Sequence, residues 1–171
     1  RTNGITSRPP RPETHDPVRT ERRMQRIVVE RTINAPIEQV FDLLSDHANY
    51  REFNGIRDSW LVREGDREPN GNGAVRRIDL GAVWFEEEIS NFNRPTTMDY
   101  RILRSRPPIE HESGRIRLEE TDHGTKVTWT SVFRIRIPLV GRILSPVAAK
   151  AGTKAFGSML KAIDRRLASA G

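Results

Sequence analysis

Cysteine is absent from the 171-residue chain, which excludes disulfides, thiolate metal sites and cysteine nucleophiles. The four histidines (His15, His47, His111 and His123) are scattered, with no HExxH and no pair at helical spacing. Neither a metal centre nor a cofactor is therefore expected. No apolar run approaches the roughly 18 residues that span a bilayer, and no signal-peptide pattern is present. The default expectation is a cytoplasmic protein. Lysine is scarce as well: only Lys126, Lys150, Lys154 and Lys161 among 29 basic residues, which suggests a high-GC bacterial coding bias.

What is present suits one domain with a genuine core, since 35% of the residues are hydrophobic. The formal charge of +6 is concentrated at the two ends. Residues 138–171 carry six basic groups against one acidic, and residues 1–24 carry six against three. The 113 residues between them carry 17 against 19. Basic ends of this kind can meet anionic lipid or nucleic acid. They can equally be solvated faces, Arg165 and Arg166 being favourable at a helix C-terminus in any case. Residues 1–24, rich in proline and arginine and without apolar periodicity, read as a disordered basic tail.

One major helix is expected over residues 139–167. Ala148, Gly152, Phe156, Met159, Ile163 and Leu167 recur at spacings of three and four, which places them on one side. Pro146 would suit its first turn. Upstream, residues 25–34 alternate as a strand, and Asn34-Ala35-Pro36 can start a short helix bearing Ile37, Val40, Phe41 and Leu44. Ser45-Asp46 can cap a second short helix containing Tyr50 and Phe53. Strand patterns then follow over 56–67, 74–80, 83–93, 97–104, 113–120 and 125–137, separated by turn residues. The loop Glu68-Pro69-Asn70-Gly71-Asn72-Gly73 lies between two strands with no helix after it, so it reads as a hairpin turn and not a phosphate cradle.

The order is one strand, two short helices, six strands and a long helix. Together with Ile33-Asn34-Ala35-Pro36, Val40-Phe41, Leu43-Leu44-Ser45-Asp46 and Gly124-Thr125-Lys126-Val127-Thr128-Trp129 followed by Phe133, it resembles the START-like superfamily. Within that superfamily the chain is most similar to the polyketide cyclase/dehydrase and lipid-transport family. The resemblance implies an α+β helix-grip fold for residues 25–171: a curved seven-stranded antiparallel sheet around the long C-terminal helix. It also implies a cavity between helix and sheet that binds a lipid, polyketide or aromatic metabolite. Gly152 and Gly157, with nearby alanines, would leave room for such a cavity, although close packing of helix on sheet would use the same glycines.

Candidate site residues follow from strand parity. With Gly81-Ala82 as a turn, Arg77 lies roughly opposite Glu87, and Asp79 and Phe85 share its parity. If that face points to the helix, Arg77, Glu87 and Tyr100 are candidate acid/base or polar-anchoring groups. If it points outward, Arg77 and Glu87 are an ordinary surface pair. Trp60, Asp79, Phe85, Trp129, Phe133, Phe156, Met159 and Ile163 are candidate ligand contacts. Arg31 could reach the cavity or its rim, and residues 109–112 could form a mouth loop. Three classes of function remain open: a carrier of a small hydrophobic molecule, an aromatase/cyclase or dehydratase, and a basic peripheral binder. The partner expected is a small apolar or aromatic molecule, with transient membrane contact and no specific nucleic acid, and the protein a monomer or homodimer.

Overall fold

The computed structural model describes residues 24–169, so the tail expected over residues 1–24 lies, except for Met24, outside the described residues. The first strand, β1 (Gln25–Ile33), leads into helix α1 (Ile37–Ser45) and a 3-10 helix (His47–Glu52). Six strands follow: β2 (Asp58–Arg63), β3 (Val75–Asp79), β4 (Trp84–Asn93), β5 (Thr97–Arg106), β6 (Ile109–Thr121) and β7 (Gly124–Ile135). Helix α2 (Gly141–Ala168) closes the order. The seven strands form one antiparallel sheet in the order β1-β7-β6-β5-β4-β3-β2. This is the curved α+β arrangement expected from the sequence.

Burial alternates along the strands as a one-sided sheet requires. In β7 every second residue from Thr125 to Ile135 is buried. Ile37, Val40, Phe41 and Leu44 turn the buried face of α1 toward the sheet, where the Phe41 ring meets Phe92 edge-on at 5.2 Å. Bulges between β4 and β5 at Glu86/Glu87 and in β6 at His111/Ser113 add local twist.

Several local expectations are corrected. Residues 109–112 are not a mouth loop: they open β6 and pair with β7. Pro146 sits inside α2 and not in its first turn, because the helix begins at Gly141, directly after the turn at Pro138 to Val140. Ser145 anchors that start, donating to the Gly141 carbonyl at 2.6 Å and accepting from the Ile135 amide at 3.0 Å. Asn34 makes no cap: Pro36 occupies the N-cap of α1.

Helix α2 is seated chiefly on β1, with β7 next. A β-carbon on Gly152 would stand 2.5 Å from Ile27 Cδ1, so this glycine serves close approach to β1 and does not leave a hollow there. Arg31 reaches across to α2, its Nη2 lying 2.6 Å from Asp164 Oδ2. The Trp129 ring stacks on Phe156 at 4.2 Å with 10° between planes. Met159, Leu160 and Ile163 complete the buried stripe.

Candidate functional site

The β3–β4 hairpin decides which charged groups enter the interior. A two-residue turn pairs its flanking residues, and the Leu80 amide does donate to Val83 O at 2.9 Å. Counting outward from that pair sets Arg76 opposite Glu87 and Arg77 opposite Glu86. The register therefore differs by one residue from the expected Arg77–Glu87 pairing, and neighbours on a strand face opposite ways. Arg76, not Arg77, points inward with Glu87.

Arg76 is 1% exposed, and Glu87 is buried beside it. Its Nε donates to Glu87 Oε2 at 2.8 Å, and Nη2 lies 2.7 Å from the same oxygen. Nη1 donates to Tyr50 Oη at 3.0 Å and to His47 Nδ1 at 2.9 Å. An arginine has no acceptor, so His47 Nδ1 must be unprotonated. His47 Nε2 then carries the hydrogen and donates to the Asn70 carbonyl at 3.2 Å. Burial, followed by the Arg76 charge, holds His47 well below the ordinary histidine range. Burial also raises the Tyr50 pKa, so its hydroxyl stays protonated and donates to Leu44 O at 2.5 Å. Burial opposes the Arg76 charge, but the Glu87 carboxylate outweighs it and keeps the guanidinium protonated.

A second polar group adjoins the first on the same face. Pairing between β5 and β6 stops at Tyr100–Gly114, and the strands part beyond it. His111 fills the opening. It accepts from the Ile102 amide through Nδ1 at 3.1 Å, so Nε2 is the donor to Ser131 Oγ, also at 3.1 Å. Its ring stacks on Tyr100 at 5.3 Å, and Trp129 Nε1 donates to Tyr100 Oη at 2.9 Å. Arg76 Cζ stands 5.4 Å from the centre of the Tyr100 ring, which joins the two groups. Burial, ahead of the nearby Glu87 charge, raises the Tyr100 pKa.

Burial, reinforced by Arg101, lowers His111 to about 4. A histidine depressed in the folded state binds fewer protons than in the unfolded chain between the two pKa values. Its contribution is present above about pH 6.5 and is lost as pH falls toward about 4. His111 alone is worth about 3 kcal/mol over that window at 1.36 kcal/mol per pKa unit. Denaturant unfolding at a series of pH values should show this slope added to that of His47, which is depressed in the same direction, and His111→Gln should remove the His111 share of it. An equal slope in the variant would assign the acid sensitivity to other groups.

The expected site residues divide between the two faces. Glu87, Tyr100, Phe85, Trp129 and Phe133 lie on the inner face, where Phe156, Met159 and Ile163 of α2 meet the sheet. Arg77 lies on the outer face, with Cζ 3.6 Å from the centre of the Trp84 ring and 5.8 Å from that of Trp60. It pairs there with Glu86 at 2.9 Å, and Arg104 holds the other carboxylate oxygen at 2.5 Å. Trp60 is 41% exposed on that face, and Asp79 caps the turn by accepting from the Gly81 amide at 2.6 Å. These three residues do not share a face with Glu87 and Tyr100. The inner face instead adds Arg76, His47, Tyr50, His111 and Ser131, which the sequence reading did not single out. The signal for Arg76 was available in the turn, since two-residue closure already pairs it with Glu87. His47 and His111 carry no motif and are placed only by tertiary structure.

This arrangement can do two things chemically. It can hold a polar atom of an otherwise apolar molecule through charged and neutral donors, and it offers a neutral imidazole beside a protonated phenol. Among the described residues no group of three or more His, Asp or Glu could hold a metal ion, and no helix is long and apolar enough to cross a membrane.

A family profile described as polyketide cyclase / dehydrase and lipid transport matches residues 24–168. Among solved structures, the Zhui aromatase/cyclase from a Streptomyces species is 21% identical, with TM-score 0.71 over 87% of this chain and 99% of that one. TTHA0849 from Thermus thermophilus is 20% identical, with TM-score 0.69 over 86% and 99%. A START superfamily protein from Mycobacterium smegmatis is 14% identical, with TM-score 0.66 over 86% and 99%. At these identities the likeness is one of fold. No curated protein matches the sequence significantly.

Proposed function

Because the chain belongs to the polyketide cyclase/dehydrase and lipid transport family, we propose that it binds a small, largely apolar or aromatic molecule between the concave face of its sheet and α2. The observation that carries this reading is the buried polar group around Arg76 and Tyr100 inside an otherwise apolar interior. A core built only for stability gains little from such a group, since a buried ion pair roughly balances its own desolvation. A binding face gains orientation: Arg76, Tyr100 and His111 select a ligand with a carbonyl, phenol or carboxylate, and Phe85, Phe133 and Met159 take its apolar body. Because α2 rests mainly on β1, the half of the sheet formed by β3, β4 and β5 is the side on which a ligand would lie.

Native mass spectrometry followed by solvent extraction tests this directly. A retained lipid, polyketide or aromatic compound is expected, or saturable uptake of an anilinonaphthalene probe by the empty protein. Tyr100→Phe, which removes one hydroxyl, should weaken binding of a phenolic or carbonyl ligand by about fivefold, the worth of one hydrogen bond near 1 kcal/mol. An empty protein that also refuses the probe would overturn the reading.

The protonated Tyr100 against the neutral His111 favours a second reading, aromatase/cyclase or dehydratase turnover, with Tyr100 as proton donor and His111 positioning its ring. The two readings separate on Tyr100→Phe, which should weaken uptake about fivefold under the first and abolish turnover of a bound polyketide under the second.

A further inference from the structure

The turn before α2 and the starting half of the helix present apolar side chains to water. Leu139 is 94% exposed, Ile143 71% and Val147 60%, and Val140 and Leu144 are exposed too. Positions 140, 143, 144 and 147 follow helical spacing and form one stripe. Positions 150 and 154 continue it, which sets Lys150 and Lys154 behind the apolar tip on the same side, with Arg142 at its flank. None of these three cations has an ion-pair partner among the described residues. No acidic residue occurs from His123 to Ile163, a span holding seven basic ones. On β6, Glu110 is taken by Arg134 and Arg136.

Leu139 adds an independent observation. Its φ is 65°, the left-handed conformation that a side chain disfavours and that glycine or asparagine adopts at lower cost. A leucine held there while almost wholly in water serves neither the turn nor the core.

We propose that this tip is a docking surface for an anionic lipid bilayer, with Leu139, Ile143 and Val147 entering the acyl boundary and Arg142, Lys150 and Lys154 meeting the phosphates. The geometry matches what interfacial helices require: apolar residues at the deepest point and cations one or two turns behind, at headgroup depth. A second copy of the chain is a poorer occupant, because two-fold apposition of the stripe brings like charges together. Residues 1–23 are a poorer cover as well, since their six basic groups against three acidic give them the same sign.

Vesicle co-sedimentation of the full chain tests the proposal. Binding is expected to phosphatidylserine/phosphatidylcholine vesicles, weakening with salt, and much less to phosphatidylcholine alone. Leu139→Asn with Ile143→Ser should lower partitioning at least about tenfold, from the apolar area withdrawn from the membrane. Its thermal midpoint should not fall, because both side chains already stand in water. Lys150→Gln with Lys154→Gln should lower partitioning about fivefold per charge. Absence of binding to the anionic vesicles, or unchanged partitioning of the Leu139/Ile143 variant, overturns the proposal. So does a dimer in sedimentation velocity that this variant disperses while vesicle binding is absent.

Discussion

Arg76→Met is expected to lower the unfolding free energy by about 3–5 kcal/mol, the range for removing one partner of a buried ion pair. In a chain of this size that is a fall in thermal midpoint of roughly ten degrees or more. The reason lies in what remains. Glu87 would keep a carboxylate in the interior after losing two contacts shorter than 3 Å. His47 Nδ1 would lose its donor, and Tyr50 would lose the guanidinium that stands 4.9 Å from its ring centre. Removing both charges is a different experiment. Arg76→Met with Glu87→Leu removes both charges of the pair and should recover most of the loss, because well-packed apolar replacements of such pairs are often neutral. Denaturant unfolding of the two single variants and the double one completes the cycle. If the double variant loses the sum of the single losses, the two residues are not coupled and the interior tolerates each charge alone. The same argument makes Arg76 a poor probe of binding, since an unstable variant loses ligand for trivial reasons. Tyr100→Phe and His111→Gln keep the ring volume or polarity and are the better probes.

Most of the architecture was legible because it rests on periodicity and punctuation. Alternation in β1 and β7, the turn residues between strands and the three-four spacing from Phe156 to Ile163 each dictate a local structure without long-range knowledge. Boundaries failed where tertiary contacts decide them. Residues 109–112 look irregular alone, but β7 supplies the partner that makes them strand. Pro146 looks like a first-turn proline until Ser145 fixes the helix start further back. The site was half legible for a sharper reason. Side-chain direction in a strand has a period of two, so one residue of register exchanges Arg76 for Arg77 and turns Trp60 and Asp79 away with it. Residues placed by apolar pattern, such as Trp129, Phe133, Met159 and Ile163, were robust to that slip. His47 and His111 are functional candidates only because Arg76 and the gap between β5 and β6 come to them.

Gly114→Ala is expected to disturb the candidate site from a position that bears no side chain. Gly114 pairs directly with Tyr100 across the β5–β6 ladder, and the tyrosine ring lies over it. A β-carbon there would fall 2.2 Å from Tyr100 Cζ and 2.4 Å from Cε1 and Cε2. The ring has little freedom to yield. His111 stacks on it, and the Trp129 indole donates to its hydroxyl at 2.9 Å, so a tilt that clears the new methyl group breaks that bond inside the core. Overpacking of this kind costs about 1–3 kcal/mol, and the altered Tyr100–Trp129 contact should appear as a change in Trp129 fluorescence. Tyr100→Leu removes the atoms that the methyl group would strike, at the cost of a cavity and the hydrogen bond. In the double variant the alanine therefore lies against a smaller, more adaptable side chain. The two losses should fall short of additivity by about 0.5–3 kcal/mol, the range for residues in contact. Strict additivity, or a Gly114→Ala protein as stable as the parent, would mean that the sheet opens at β5–β6 to admit the methyl group. The position of Tyr100 would then owe nothing to the glycine beneath it.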